Sequence, residues 1–213
     1  MPHKRKIIFL GAVSADGFIA RVDGSVDWLD RPEPKGGYGM GDFYKSIDTI
    51  VFGRKTYEMA LDFQAKGIPG SAFDARVKNY VFSRTLSPSD APPAVEITSA
   101  PVKAFATRLR AAKGKDIWMM GGGGIIASFL DEGEIDEFIL HVIPVMIGEG
   151  IPLLAPRHRT VPLRLIDSTK YPDGVVQLHY AVEKQEVSAG KQKKQQRAGA
   201  RHKKSAANKT RSP

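Results

Sequence analysis

Along the chain the spacing of apolar residues switches repeatedly between short continuous runs and helical spacings, which is the signature of alternating strands and helices. The stretch Lys6 to Val13 is almost continuously apolar, as a strand covered on both faces requires, and Ser14-Ala15-Asp16-Gly17 turns the chain before Phe18-Ile19-Ala20. Asp42 to Ile47 is predicted as a short helix and Thr49 to Phe52 as a strand closed by Gly53. Arg54 to Phe63 follows as a helix with Tyr57 and Leu61 on one side. Strands are predicted at Asn79 to Phe82 and Val95 to Thr98. Ser99 and Pro101 then open a helix in which Val102, Phe105, Ala106 and Leu109 share one buried face.

The second half continues the alternation. Asp116 to Met120 is a strand, Gly121 to Gly124 a hinge, and Ile125 to Leu130 a helix stopped by Gly133. Glu134 to Val145 reads as one long strand, and the segment closes with strands at Leu163 to Asp167 and Val175 to Val182. In the last of these Val176, Leu178, Tyr180 and Val182 alternate with Gln177, His179 and Ala181, so one face should be covered. Early βαβα units followed by strands with no helix between them predict an α/β fold. Its central sheet should be mixed and mostly parallel, with flanking helices and an antiparallel C-terminal edge.

Composition narrows the picture. The chain has 213 residues, 42% hydrophobic and 26% charged, which suits one globular core. With no cysteine, disulfides, thiolate nucleophiles and cysteine-bound metals are excluded, and a cytoplasmic location is expected. Lys4, Arg5 and Lys6 before IIFLGAVSA mimic a short signal peptide, but the stretch reads better as the buried first strand, and no apolar run is long enough to span a membrane. The net charge of +9 is localised: residues 187–213 hold nine Lys or Arg and no acid, leaving the body at 1–186 formally neutral. That segment has no apolar period, so a folded domain at 1–186 and a disordered basic tail at 187–213 are expected. The tail is either solubilising or a loose, salt-sensitive contact for nucleic acid or another polyanion.

Three fragments carry candidate chemistry. In TIVFGRKTYE a strand ends at Gly53 and a helix starts with Arg54, Lys55 and Thr56. Cations in a first turn oppose the helix dipole unless an anion sits there or a carboxylate of the protein answers them. NYVFSR ends a second strand with Ser83 and Arg84. In a parallel sheet both strand ends lie on one rim, so two phosphate-sized sites suggest a dinucleotide, and the added charge suits a 2′-phosphate, hence NADPH rather than NADH. In IWMMGGGGIIAS, Gly121, Gly122, Gly123 and Gly124 strip side chains from a strand-to-helix turn and let backbone N–H groups meet a pyrophosphate. Gly122, Gly124 and Ala127 match G-x-G-x-x-A, yet no acidic residue ends the following strand to hold a ribose, which argues against a Rossmann unit.

These fragments, in this order after Ser14-Ala15-Asp16-Gly17-Phe18-Ile19-Ala20, resemble the dihydrofolate reductase superfamily. The resemblance is closer to its branch containing the C-terminal reductase domain of the bifunctional riboflavin-biosynthesis deaminase-reductase. It covers roughly residues 5–182 and is carried by GRKTYE, VFSR, GGGG and DEFILHVIPVMIGEGIPLL. It implies a homodimeric reductase that binds NADPH and a small heterocycle, pteridine-like or ribosylamino-pyrimidine-like. Gly53, Arg54, Lys55 and Thr56 would meet the phosphates, Ser83 and Arg84 the adenine ribose and its 2′-phosphate, and Gly121 to Ile125 the pyrophosphate side, with a cis peptide at Gly121-Gly122. Ala12, Val13 and Ile19 would line the nicotinamide, and Asp16 matches a substrate-side aspartate.

Two positions depart from that pattern. Met120 stands where the riboflavin branch commonly has a substrate-facing glutamate, and Gly41-Asp42 is out of step with the folate reductases' first-helix carboxylate. Asp16 is left as the candidate proton donor, its plainer role being the aspartate of an Asp-Gly turn. Trp28 is either an aromatic wall of the substrate pocket or an edge-packing residue. His3, His141, His158, His179 and His202 lack metal-ligand spacing, so no metal is predicted, and His141 and His179 are expected to be structural. A non-catalytic NADP-binding module and a nucleic-acid associated protein acting through its tail are the competing readings.

Overall fold

A computed structural model of the chain describes residues 4–67, 73–74 and 76–183. The basic tail expected at 187–213 lies outside the described residues. Among the described residues, ten strands and four α-helices follow one another as β1 (Ile7–Ser14), β2 (Phe18–Ala20), α1 (Met40–Ser46), β3 (Ile47–Gly53), α2 (Arg54–Ala65), β4 (Lys78–Phe82) and β5 (Val95–Thr98). They continue with α3 (Val102–Ala111), β6 (Asp116–Gly121), α4 (Gly123–Asp131), β7 (Glu137–Ile143), β8 (Ile151–Pro152), β9 (Leu163–Lys170) and β10 (Val176–Val182).

Eight strands form one sheet in the order β5-β4-β3-β6-β1-β7-β10-β9. Pairing is parallel from β5 through β7 and antiparallel at β10 and β9. Strand alternation sends successive side chains to opposite faces. Ile7, Phe9, Val51, Ile117 and Met119 pack with Phe105, Ala106 and Leu109 of α3 and with Ile126, Phe129 and Leu130 of α4. Leu10, Ile50, Phe52 and Trp118 pack on the other side with Tyr57 of α2 and with Phe43 and Tyr44 of α1. The sheet is therefore the middle of three layers, and the helices leave its strand-end rim free.

The starts of the parallel strands are tied by buried charge. Arg5, 3% exposed, donates to Asp48, to the Thr49 hydroxyl at 2.8 Å and to the Leu109 carbonyl at 3.0 Å. Arg110 reaches the Arg5 and Glu134 carbonyls and pairs with Asp136, while Glu137 accepts from Lys6 at 2.6 Å and meets His179 Nε2 at 2.9 Å.

Several expectations need correction. The helix after β6 begins at Gly123, so only Gly121 and Gly122 form the hinge, with φ of 147° and 99° that L side chains avoid. The Gly121-Gly122 peptide is trans, because these two backbone angles already make the turn. Leu61 is 37% exposed, so Tyr57 alone of the two faces the core. β7 is shorter than Glu134 to Val145. β8, which pairs with β2 in a separate two-stranded sheet, is too short to carry a period. In β10 both faces are half-buried: Tyr180 and Val182 lie against the core, and Gln177 approaches His141 at 2.9 Å. His141 is buried, which pushes its imidazole pKa down and keeps it neutral. The edge strand β9 leaves Leu163, Leu165 and Ile166 exposed.

Candidate functional site

Sheet order brings the three glycine-and-cation fragments together. β3 lies between β4 and β6, with Gly53 paired to Phe82 and Phe52 paired to Gly121, so the fragments end side by side on one rim. Gly53 caps α2 and Gly122 caps α4, neither with a side-chain hydrogen bond. A first helical turn has N–H groups without intrahelical acceptors, so both helices present bare donors and positive dipole ends. The two starts touch. A Cβ on Gly53 would lie 3.3 Å from the Gly121 carbonyl, and one on Gly122 would lie 3.3 Å from Thr56 Oγ1. Gly124 is different: a Cβ there would meet nothing within 4 Å, because it faces the open space of the site.

That space is a cavity of about 1470 Å³. It exceeds the roughly 300–1,000 Å³ of pockets for drug-sized ligands and has room for a dinucleotide with a second molecule. Its walls are the starts of α2 and α4 from Gly53 to Thr56 and from Gly122 to Ile125, the end of β4 with Ser83 and Arg84, and Ile19 of β2. Thr98 to Val102 adds the start of α3, capped at Pro101 without a side-chain bond.

The cations divide into two kinds. Arg54 pairs with Glu58 at 2.7 Å one helical turn on, so for this residue the carboxylate alternative holds. The pair is half exposed, and such i,i+4 contacts are worth only about 0.3–0.5 kcal/mol, so an incoming anion can compete for the guanidinium. Lys55 and Arg84 are exposed and have no carboxylate partner among the described residues. Ser83 is engaged in shaping the turn: its Oγ accepts the N–H groups of Thr85 and Leu86 at 3.1 and 3.0 Å. Arg84, at the head of that turn, lines the cavity.

Asp16 stands outside the cavity wall. Its carboxylate accepts from the Ser14 hydroxyl at 2.6 Å and from the N–H groups of Ile147 and Gly148 at 3.0 and 2.8 Å, and the Ser14 bond above all holds its pKa below the ordinary range. A proton donor needs the opposite shift, so the geometry supports the turn-bracing role. A depressed carboxylate adds stability above its unfolded pKa and loses it as pH falls through the folded one. Asp16→Asn should therefore melt below the wild-type chain at neutral pH, with the two curves converging in acid; an unchanged difference across pH would remove this role.

Val13 is core and Ala12 packs in a cluster with Ile143, Val175 and Trp28, while Gly121 lies just behind the lining. Trp28 is 9% exposed and packs against Ile143 and Val175 behind the lining, so it supports the loop that lines the cavity and does not form its wall. The walls also include residues that the sequence pattern does not single out: Val22 to Asp27 after β2, and Glu58, Met59, Asp62, Phe63 and Lys66 on the outer face of α2. Met59 and Phe63, four apart, were the available signal.

An open sheet with this strand order, an antiparallel tail and helix starts gathered on the parallel rim is a dihydrofolate-reductase-like α/β domain. More narrowly, the chain belongs to the RibD C-terminal domain family, whose pattern matches residues 5–177. It is 42% identical over 179 residues to the uncharacterized protein YwjB of Bacillus subtilis, covering 83% of this chain and 98% of that one. A putative riboflavin biosynthesis protein from Shewanella sp. PV-4 superposes with a TM-score of 0.72 at 26% identity, covering 84% and 99%. The Thermotoga maritima diaminohydroxyphosphoribosylaminopyrimidine deaminase/5-amino-6-(5-phosphoribosylamino)uracil reductase superposes at 0.63 and 15% identity over 84% of this chain and 57% of that one, a likeness of fold. No described helix is long and apolar enough to cross a membrane.

Proposed function

We propose that the chain is an NADPH-dependent reductase that delivers hydride to a pteridine-like or ribosylamino-pyrimidine-like heterocycle. The observation that carries this reading is the convergence of bare helix starts and the unpartnered cations Lys55 and Arg84 on contiguous strand ends around one cavity. The residues present fit such a cofactor: Gly124, where a Cβ would meet nothing within 4 Å, would let phosphates approach the start of α4 closely, Gly122 lets that start pack against Thr56, and the Thr56 hydroxyl would be a further donor. When bound, NADPH supplies the hydride. The chain's own residues bind and orient. The first turns of α2 and α4 would donate to the pyrophosphate, Arg84 would answer the 2′-phosphate, and Ile19 with Ile125 would cover the apolar part and exclude water. Asp16 holds the loop at Ile147 and Gly148 and thereby fixes the position of β8, which lines the cavity through Ile151.

Melting curves with NADPH and NADH test the reading, since a ligand at 100 times its Kd stabilises the folded state by about 2.7 kcal/mol. Both should raise the Tm, NADPH at lower concentration. Arg84→Ala should weaken NADPH about tenfold, or ~1.4 kcal/mol, and leave NADH nearly unchanged. No response to either cofactor rejects the assignment, and equal losses remove Arg84 from the 2′-phosphate.

A further inference from the structure

The sign of the charge changes along the cavity. At the strand-end rim stand Lys55, Arg84 and three uncapped helix starts. Away from the rim, the later turns of α2 and the loop after β2 contribute Glu58, Asp62, Asp23 and Asp27. Among the described residues, each cation on or beside these walls is already held: Arg54 by Glu58 at 2.7 Å, Lys66 by Asp62 at 2.6 Å, and Arg21 by Asp27 through two bonds of 2.6 and 3.1 Å. Opening any of these pairs would expose a carboxylate as well as a cation, so the summed charge of the wall does not become positive. Asp23, which accepts the Ser25 N–H at 2.8 Å, makes that sum negative.

A dinucleotide with a 2′-phosphate brings three phosphate groups, and these take up the unpaired cations and helix starts at the rim. Among the described residues, the rest of the cavity offers a second phosphate no matched positive group. We infer that the heterocycle reduced in this cavity carries no phosphate: it is a free pteridine or aminopyrimidine, or its nucleoside, and the nucleotide is refused. A dianionic group would have to lie among Asp23, Asp27 and Asp62, where like charge raises its free energy, whereas a neutral ring can use Met59 and Phe63 of the same wall. This inference rests on the cofactor reading above and narrows its substrate class.

Two measurements on the full chain test it. In NADPH-saturated protein, inorganic phosphate should raise the Tm no further than chloride of equal ionic strength; an added rise specific to phosphate reveals a second phosphate site and overturns the inference. In initial-rate NADPH oxidation with a matched ribosylaminopyrimidine and its 5′-phosphate, kcat/KM should favour the phosphate-free compound by about tenfold or more. Asp62→Asn, which releases Lys66, should shrink that preference. A preference for the phosphate ester overturns the inference while leaving the cofactor reading intact, and a Tm unmoved by NADPH overturns both.

Discussion

Gly124→Asp should keep the fold and lose the cofactor. Gly124 lies in the first turn of α4, its φ is not positive, and a new side chain would meet no atom within 4 Å. Replacing a helical glycine stabilises by about 0.4–1 kcal/mol through the unfolded chain, and an acid in a first turn adds about 0.3–1 kcal/mol from the dipole. The ligand-free Tm should thus stay level or rise. The same carboxylate would occupy the place assigned to the pyrophosphate, weakening NADPH by roughly 10- to 100-fold, about 1.4–2.8 kcal/mol. Calorimetric titration of NADPH into both proteins measures this, with Gly124→Ser as the uncharged control. Wild-type affinity in the aspartate variant would mean that no phosphate sits at the start of α4.

Arg5→Met should produce the largest loss of stability, and at the opposite rim. Arg5 is buried, and its guanidinium joins Asp48, the Thr49 hydroxyl and the Leu109 carbonyl, so it links β1 to β3 and α3. Removing one partner of a buried pair costs about 3–5 kcal/mol, and because Asp48 is a third exposed the loss here should lie toward the lower end of that range. For a domain of this size that is a fall of roughly 10–15 °C in Tm. Cofactor affinity, measured well below the new midpoint, should be little changed, because no atom of this network lines the cavity. A Tm within a few degrees of the wild-type value would show that the Lys115 N–H at 2.9 Å and the Thr49 hydroxyl at 2.8 Å are sufficient partners for Asp48.

The contrast between the two rims explains what was legible in the sequence. The ends of β1, β3, β4, β5 and β6 were legible to within a residue because buried runs such as Ile50 to Phe52 end at glycine or serine, a local signal that needs no tertiary context, whereas β7 lacks such a stop and was read too long. The start of α4 was hidden because glycine has low helix propensity, and only packing makes Gly123 and Gly124 helical. The candidate anion residues were visible one fragment at a time. Their convergence was not, since it depends on β3 lying between β4 and β6, an order no local pattern encodes. The Arg54–Glu58 pair is the i,i+4 form of the carboxylate alternative raised for that turn, whereas the backbone partners of Asp16 at Ile147 and Gly148 lie more than a hundred residues away in sequence. The acidic wall came from the outer face of α2 and an irregular loop, where charges read as ordinary solvent-facing positions until a cavity is seen between them.

The exposed outer strand β9 has a consequence for assembly. It stands four places from β6 in the sheet, and at about 4.8 Å per strand that is nearly 20 Å from the nearest strand of that sheet that leads into the cavity wall. A twin chain docking along Leu163, Leu165 and Ile166 would find greasy side chains and unspent backbone donors there, while both mouths stayed unobstructed. The irregular register at His179 and Tyr180, with Arg164, Asp167 and Lys170 alongside, discourages indiscriminate stacking, so whatever joins this border must match its kink.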